Sequence, residues 1–188
     1  MIYPISIIGS SVLRKKAEDI SRNYPDLDQL IKDMFETMYE SDGVGLAAPQ
    51  IGKSIRLLVV DASPMEEEDP ILKDFKKVFI NAKITERDGD SELMTEGCLS
   101  IPGIQEEVKR INKIRIEYYD ENFNFFDETY EGFAARVIQH EYDHLDGILF
   151  VDRISPIRKQ LIKSKLKDIS RGKFDAKYNF RLGEKKRA

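Results

Sequence analysis

The sequence predicts one α+β domain in which antiparallel strands pack around a central helix, with a further helix near the C-terminus. Three observations lead to that class. The 188 residues suit a single domain of ordinary size. Segments with a period of two follow one another as a run, and two helical segments come after them, an order that belongs to α+β rather than to alternating α/β chains. Hydrophobic residues at 41% and charged residues at 34%, with ten Phe and eight Tyr, give a core-forming composition that excludes collagen-like, coiled-coil and wholly disordered chains.

The elements follow in chain order. Residues 26–41 set Leu27, Leu30, Ile31, Met34, Phe35 and Met38 at helical spacing, with Asp side chains at the start and Gly43 as the stop. A Gly-rich loop, GVGLAAPQIG, occupies 43–52, and IRLLVVD at 55–61 reads as a buried strand. An acidic loop bounded by prolines spans 63–70. The segments KVFINAKITER, INKIRIEYYD and NFFDETYEG alternate as half-buried strands, separated by turn signals at Asp88-Gly89 and at 120–124. Residues 133–146 form the next helix, stopped by Gly147, and Ser155-Pro156 opens the last, ending near residue 170. Domain 1–170 then carries the chemistry, and 171–188 is expected to be a basic, flexible tail.

Charge is unevenly placed. Residues 158–188 hold twelve Lys/Arg against three Asp/Glu, whereas residues 1–157 are net −13. A basic end on an acidic body suits an anionic partner, although a solvated Lys-rich helix explains it equally simply. The single Cys excludes an intrachain disulfide framework. No apolar run approaches the roughly 18 residues of a membrane span. The apolar N-terminal stretch precedes its basic residues, the reverse of a secretory signal, so the expected location is the cytoplasm.

The only two histidines fall in His140-Glu141-Tyr142-Asp143-His144. Four residues on a helix return to nearly the same face, so both rings can present a nitrogen to one metal ion, with Glu141 beside them as general base. The bland alternative is two surface histidines on an amphipathic helix. It leaves Glu141 on the apolar stripe with no cationic partner, a costly placement. Two histidines do not complete a site, and the remaining choices are a carboxylate or the single thiol. Cys98, alone, would read as a small buried hydrophobe; the missing ligand favours it as the third. Three protein ligands and one open position are the form of a catalytic site, because a closed structural site needs a fourth.

Three segments then resemble, in order, the motifs of the peptide deformylases: Gly43-Val44-Gly45-Leu46-Ala47-Ala48-Pro49-Gln50, Glu96-Gly97-Cys98-Leu99-Ser100, and Gln139-His140-Glu141-Tyr142-Asp143-His144-Leu145-Asp146-Gly147. The helical C-terminus is similar to that of the bacterial members with a C-terminal helix. The resemblance implies a hydrolase that removes the formyl group from the N-terminal formyl-methionine of new polypeptides and releases formate. It implies Cys98, His140 and His144 as ligands of one divalent ion, Fe²⁺ in vivo with Zn²⁺, Ni²⁺ or Co²⁺ able to replace it. Glu141 would be the general acid/base, and Gln50 and the Leu99 N–H the oxyanion donors. Val44, Gly45, Met94, Gly97 and Val137 would hold the substrate, and Glu96 with Arg110 would support the Cys98 segment. Its implied partners are formyl-methionyl nascent peptides and, through the basic C-terminal helix, the ribosome, with neither membrane nor DNA. Gln105 stands where many relatives carry Arg. Arg136 is expected to line the methionine pocket with its stem while its charge reaches solvent.

Two other classes compete. A zincin-type metallopeptidase would take a third ligand from His, Glu or Asp beyond the helix, yet the downstream acids Asp146, Asp152, Asp168, Asp175 and Glu184 form no such motif. A non-enzymatic ribosome-binding module would use the metal only structurally, and would need the open position closed.

Overall fold

Apolar side chains at period two along β3 (Leu57–Asp61) divide the interior between two clusters. Leu57 and Val59 belong to one, Leu58 and Val60 to the other. A strand buried on both faces needs a cover on each side, and two helices supply them. In the computed structural model, which describes residues 1–67 and 69–183, α1 (Leu27–Glu40) packs its Leu30, Ile31, Met34 and Met38 stripe into the first cluster. The HExxH helix α2 (Gly132–Leu145) packs Ala135, Val137, Ile138 and Leu145 into the second.

The main sheet is antiparallel throughout, in the order β2-β3-β4-β5-β6. Part of the Gly-rich segment forms its edge, β2 (Gly45–Ala47), before turning into a 3₁₀ turn at Ala48–Ile51. The long strands β4 (Lys76–Gly97) and β5 (Gln105–Tyr119) form its centre, and β6 (Phe125–Glu131) leads directly into α2. The acidic segment after β3 folds into two short 3₁₀ turns, Ser63–Met65 and Pro70–Leu72.

The Asp88-Gly89 signal is not a turn. β4 runs through it, and pairing with β5 slips between Asp88 and Ser91. Gly89 has φ +84°, and the Asp90 N–H bonds the Asn112 side chain across the irregularity. A left-handed glycine suits one class of β-bulge as well as a tight turn, so the same dipeptide serves a bulge as readily as a hairpin. The chain reverses instead across residues 98–104, on the segment that carries Cys98. The turn at 120–124 does form: the Asp120 carboxylate accepts from the backbone N–H groups of Asn122 and Asn124.

The last helix, α3 (Pro156–Ile169), begins at Ser155, whose hydroxyl accepts from the Arg158 N–H. Beyond it, the tail expected to be flexible returns across the body. Phe180–Arg181 forms β7, parallel to β1 (Ile5–Ser6), through bonds from Ile5 N–H to the Asn179 carbonyl and from Ile7 N–H to the Arg181 carbonyl. Pairing across 175 residues leaves no local pattern to read. The rest of that expectation, residues 184–188, lies outside the described residues. No helix among the described residues is long and apolar enough to cross a membrane.

Candidate functional site

The i, i+4 spacing on α2 brings His140 and His144 to one face, and the reversal after β4 brings Cys98 over them. Among the described residues these three form a group whose ligand atoms lie within 4.8 Å of one another. Cys98 Sγ lies 3.3 Å from His144 Nε2. Bonds of about 2.3 Å to sulfur and 2.0–2.1 Å to nitrogen, at a tetrahedral angle, place such atoms about 3.6 Å apart. A first-row divalent ion therefore fits this donor set. Burial, with help from His140 and Arg110, holds His144 well below the ordinary imidazole range.

His140 is aimed from behind. Its Nδ1 meets Glu96 Oε2 at 2.9 Å, which leaves Nε2 for the shared position. Glu96 is buried, and burial alone would raise its pKa. Hydrogen bonds from Arg110 and His140 outweigh that and hold the carboxyl well below its usual range. Arg110 grips it bidentately at 2.6 and 2.9 Å, then passes a 2.7 Å bond to Asp143, which Arg153 also clasps. The expected Glu96–Arg110 pair is thus one link in a chain running from the HExxH helix to the residues after it.

Arg136 departs from expectation. Its guanidinium is buried rather than solvated, and bonds Glu96 Oε1, the Val108 carbonyl and the Glu92 carbonyl at 2.8–2.9 Å. The carboxylate and two strand carbonyls offer fixed acceptors nearer than water, so the side chain turns under the sheet. Arg136 still lines the cavity described below.

On the opposite wall, Gln50 is oriented by its own turn. Its Oε1 accepts from the Ala47 N–H at 2.8 Å, so its NH₂ faces Cys98 Sγ at 3.6 Å and Ser100 Oγ at 3.5 Å. The Cys98 carbonyl accepts from the Ile101 N–H at 2.9 Å. In that same trans peptide the Leu99 N–H points the other way. Glu141 is buried on the remaining side, its Oε2 without a hydrogen-bond partner, and burial pushes its carboxyl up to about 7. It packs so closely on Gly45 that a Cβ there would stand 2.7 Å from Glu141 Oε1.

These groups open on one cavity of about 810 Å³. Val44, Gly45, Met94, Gly97 and Val137 line it together with Gln50, Cys98, Leu99, His140 and Glu141, and Gln105 reaches it too. His144 closes the site from beneath, 1% exposed. The arrangement joins a metal-holding trio, a buried carboxylate with one oxygen unpartnered and neutral donors along one cavity, which suits metal-assisted hydrolysis of a carbonyl compound.

Sequence reasoning missed five contributors. Asp143 and Arg153 carry the ion-pair chain onward; the former stands inside the HExxH motif, where its variable position gave it no meaning. Tyr178, Lys177 and Asp175 form part of the cavity wall from the returning C-terminal segment.

Known proteins resemble the chain along most of its length. A family model described as polypeptide deformylase matches residues 2–160. A peptide deformylase of Christiangramia forsetii is 50% identical and one of Flavobacterium psychrophilum 52%, each over the whole of both chains. Among solved structures, a peptide deformylase from Legionella pneumophila superposes with a TM-score of 0.79 at 39% identity, covering 91% of this chain and 96% of its own. One from Thermotoga maritima gives 0.75 at 42% identity, covering 83% and 99%.

Proposed function

The chain belongs to the peptide deformylase family, and on that premise we propose how its own residues divide the removal of the formyl group from the N-terminus of newly made polypeptides. Members of this family are metal-dependent hydrolases. We assign Cys98, His140 and His144 as the metal ligands, with Fe²⁺ the ion in vivo and Zn²⁺, Ni²⁺ or Co²⁺ able to replace it. The ion, when bound, supplies Lewis acidity, acidifying water toward a pKa of about 7 and drawing charge from the formyl oxygen.

The protein's part is positional and protonic. Glu141, buried beside the trio, takes the proton of the attacking water on its carboxylate and delivers it to the departing amine nitrogen. The Gln50 NH₂ and the Leu99 N–H donate to the formyl oxygen as negative charge develops there, and both are neutral donors held in place before the reaction begins. The backbone at Val44, Gly45 and Gly97 receives the peptide at close range. Met94 and Val137 shape an apolar slot for an unbranched first side chain, so methionine and norleucine are accepted alike. Glu96, held by Arg110, fixes the His140 ring. Formate and a free N-terminal amine leave.

The observation that carries this assignment is the meeting of Cys98, His140 and His144 within 4.8 Å at the floor of a cavity that also holds Glu141 and Gln50. Anaerobic purification, metal analysis and assay of formate release from a formyl-Met peptide test it. One metal per chain and formate release support it; a metal-free active protein overturns it. Equal efficiency on formyl-Asp and formyl-Met peptides would refute the slot.

We place the protein in the cytoplasm and α3 against the ribosome. α3 exposes Ile157 and Leu161 on one face and Lys163 and Lys167 on a basic stripe about 120° around the helix, an apolar and a basic surface suited to ribosomal protein and RNA. Removing everything after Lys159 would also remove Tyr178 from the cavity wall. The cleaner test is Lys163→Glu with Lys167→Glu: co-sedimentation with ribosomes should fall and become less salt-sensitive, while formate release from a short peptide persists. Unchanged co-sedimentation would contradict the docking.

A further inference from the structure

The segment after α3 lines one side of the cavity and reaches behind the turn that carries Gln50, and nothing in the assignments above gives it work. The Tyr178 hydroxyl donates to the Leu99 carbonyl at 2.7 Å. The two neighbouring carbonyls of that reversal are held from elsewhere: Cys98 by the Ile101 N–H at 2.9 Å, and Ser100 by the Ile8 N–H at 2.8 Å. Tyr178 therefore supplies the remaining restraint on the peptide planes around Leu99. Three residues later, Arg181 donates to Ser6 Oγ at 2.8 Å and lays its guanidinium over Gly52, at the end of the turn that carries Gln50. A Cβ at Gly52 would fall 1.3 Å from Arg181 Nη2, so a side chain there would displace the guanidinium. The segment is itself anchored by β7 pairing with β1 and by Phe174 against Phe180, ring centres 4.6 Å apart.

We propose that this C-terminal strap sets the oxyanion-side geometry, with Tyr178 as a positioning residue that holds the Leu99 peptide through its carbonyl. The inference rests on the Leu99 N–H being a donor to the formyl oxygen. Fixing ψ of Leu99 from one side and its N–H plane from the other stops the donor swinging away between turnovers. A hydrogen-bond donor serves an oxyanion only when its direction is set beforehand. Tyr178 touches no reacting atom; it acts through Leu99.

The test uses the full-length, metal-loaded enzyme with Tyr178→Phe, which removes the hydroxyl and keeps the ring. The expected result is a kcat lower by roughly tenfold, less than the ~10²–10³ of deleting an oxyanion donor outright. KM, metal content and calorimetric affinity for the deformylated product Met-Ala-Ser should be unchanged, because the product lacks the formyl oxygen, and the thermal midpoint should fall only by the roughly 2–4 °C that one lost hydrogen bond costs. A purely structural Tyr178 would lower metal content or product affinity along with kcat, and that pattern overturns the proposal. Unchanged kcat does so too. A companion chain carrying an ester in place of the Cys98–Leu99 amide, made by incorporating the α-hydroxy analogue of leucine, separates the two layers. If the ester lowers kcat and Tyr178→Phe does not, the strap has no positioning role and the Leu99 assignment stands. If the ester has no effect, Leu99 is not the donor and the inference falls with it.

Discussion

Gly45 is the floor on which Glu141 rests: a Cβ built there would lie 2.7 Å from Glu141 Oε1 and 2.8 Å from its Cγ. Real side chains do not tolerate such contacts, and α2 is buried along almost its whole length, so Glu141 has little room to retreat. Gly45→Ala should therefore shift the carboxylate and slow turnover by about 10²-fold, as for other small misplacements, with the metal retained. Wild-type kcat in that variant would show that the carboxylate has slack that the packing denies.

Gln50→Leu keeps the size of the side chain and removes its NH₂ group. The Ala47 N–H loses its acceptor as well, so some stability is lost. Metal content should persist while kcat falls by roughly 10²–10³. A change confined to KM would place Gln50 in ground-state binding instead.

Glu96→Ala leaves Arg110 and Arg136 buried without their shared carboxylate. Removing one partner of such a buried group costs about 3–5 kcal/mol, readable as a lower urea midpoint. The same variant frees the His140 ring, so metal affinity should drop by about 10- to 100-fold. Unaltered stability would mean that Asp143 suffices for Arg110 and the Val108 and Glu92 carbonyls suffice for Arg136.

Acid should loosen α3 from the body. Arg158 clasps Glu106 through two 2.8 Å bonds, and that hydrogen bonding, opposed by burial, lowers the Glu106 pKa below its ordinary 4.5. A carboxyl depressed in the folded state contributes stability above the ordinary value and loses it as pH falls through the lower, folded value. Wild type should thus melt higher than Glu106→Gln at pH 7, and the gap should close below pH 4.5. A gap that persists in acid would refute the ion-pair origin.

Much of this site was legible because its information is local. The i, i+4 histidines and the apolar stripe specify α2, and a chain with two histidines and one thiol leaves few ways to complete a three-ligand site. The Leu27–Met38 stripe specifies α1 for the same reason. What escaped depends on distant partners. Asp88-Gly89 obeys turn chemistry, but only the β5 partner decides that it is a bulge. Arg136 looks amphipathic until Glu96 and two strand carbonyls, 28 to 44 residues away, are brought to it. The strap is composed like a frayed tail, and its order comes from Ile5, Ser6 and Leu99.

The most direct test of the whole account is metal content and formate release measured together on Glu141→Gln, with Cys98→Ala alongside. Glu141→Gln should bind one metal per chain as wild type does, yet release formate from a formyl-Met peptide about 10²–10⁴ times more slowly. Cys98→Ala should lose the metal. Near-normal turnover by Glu141→Gln, or full metal occupancy in Cys98→Ala, would contradict it.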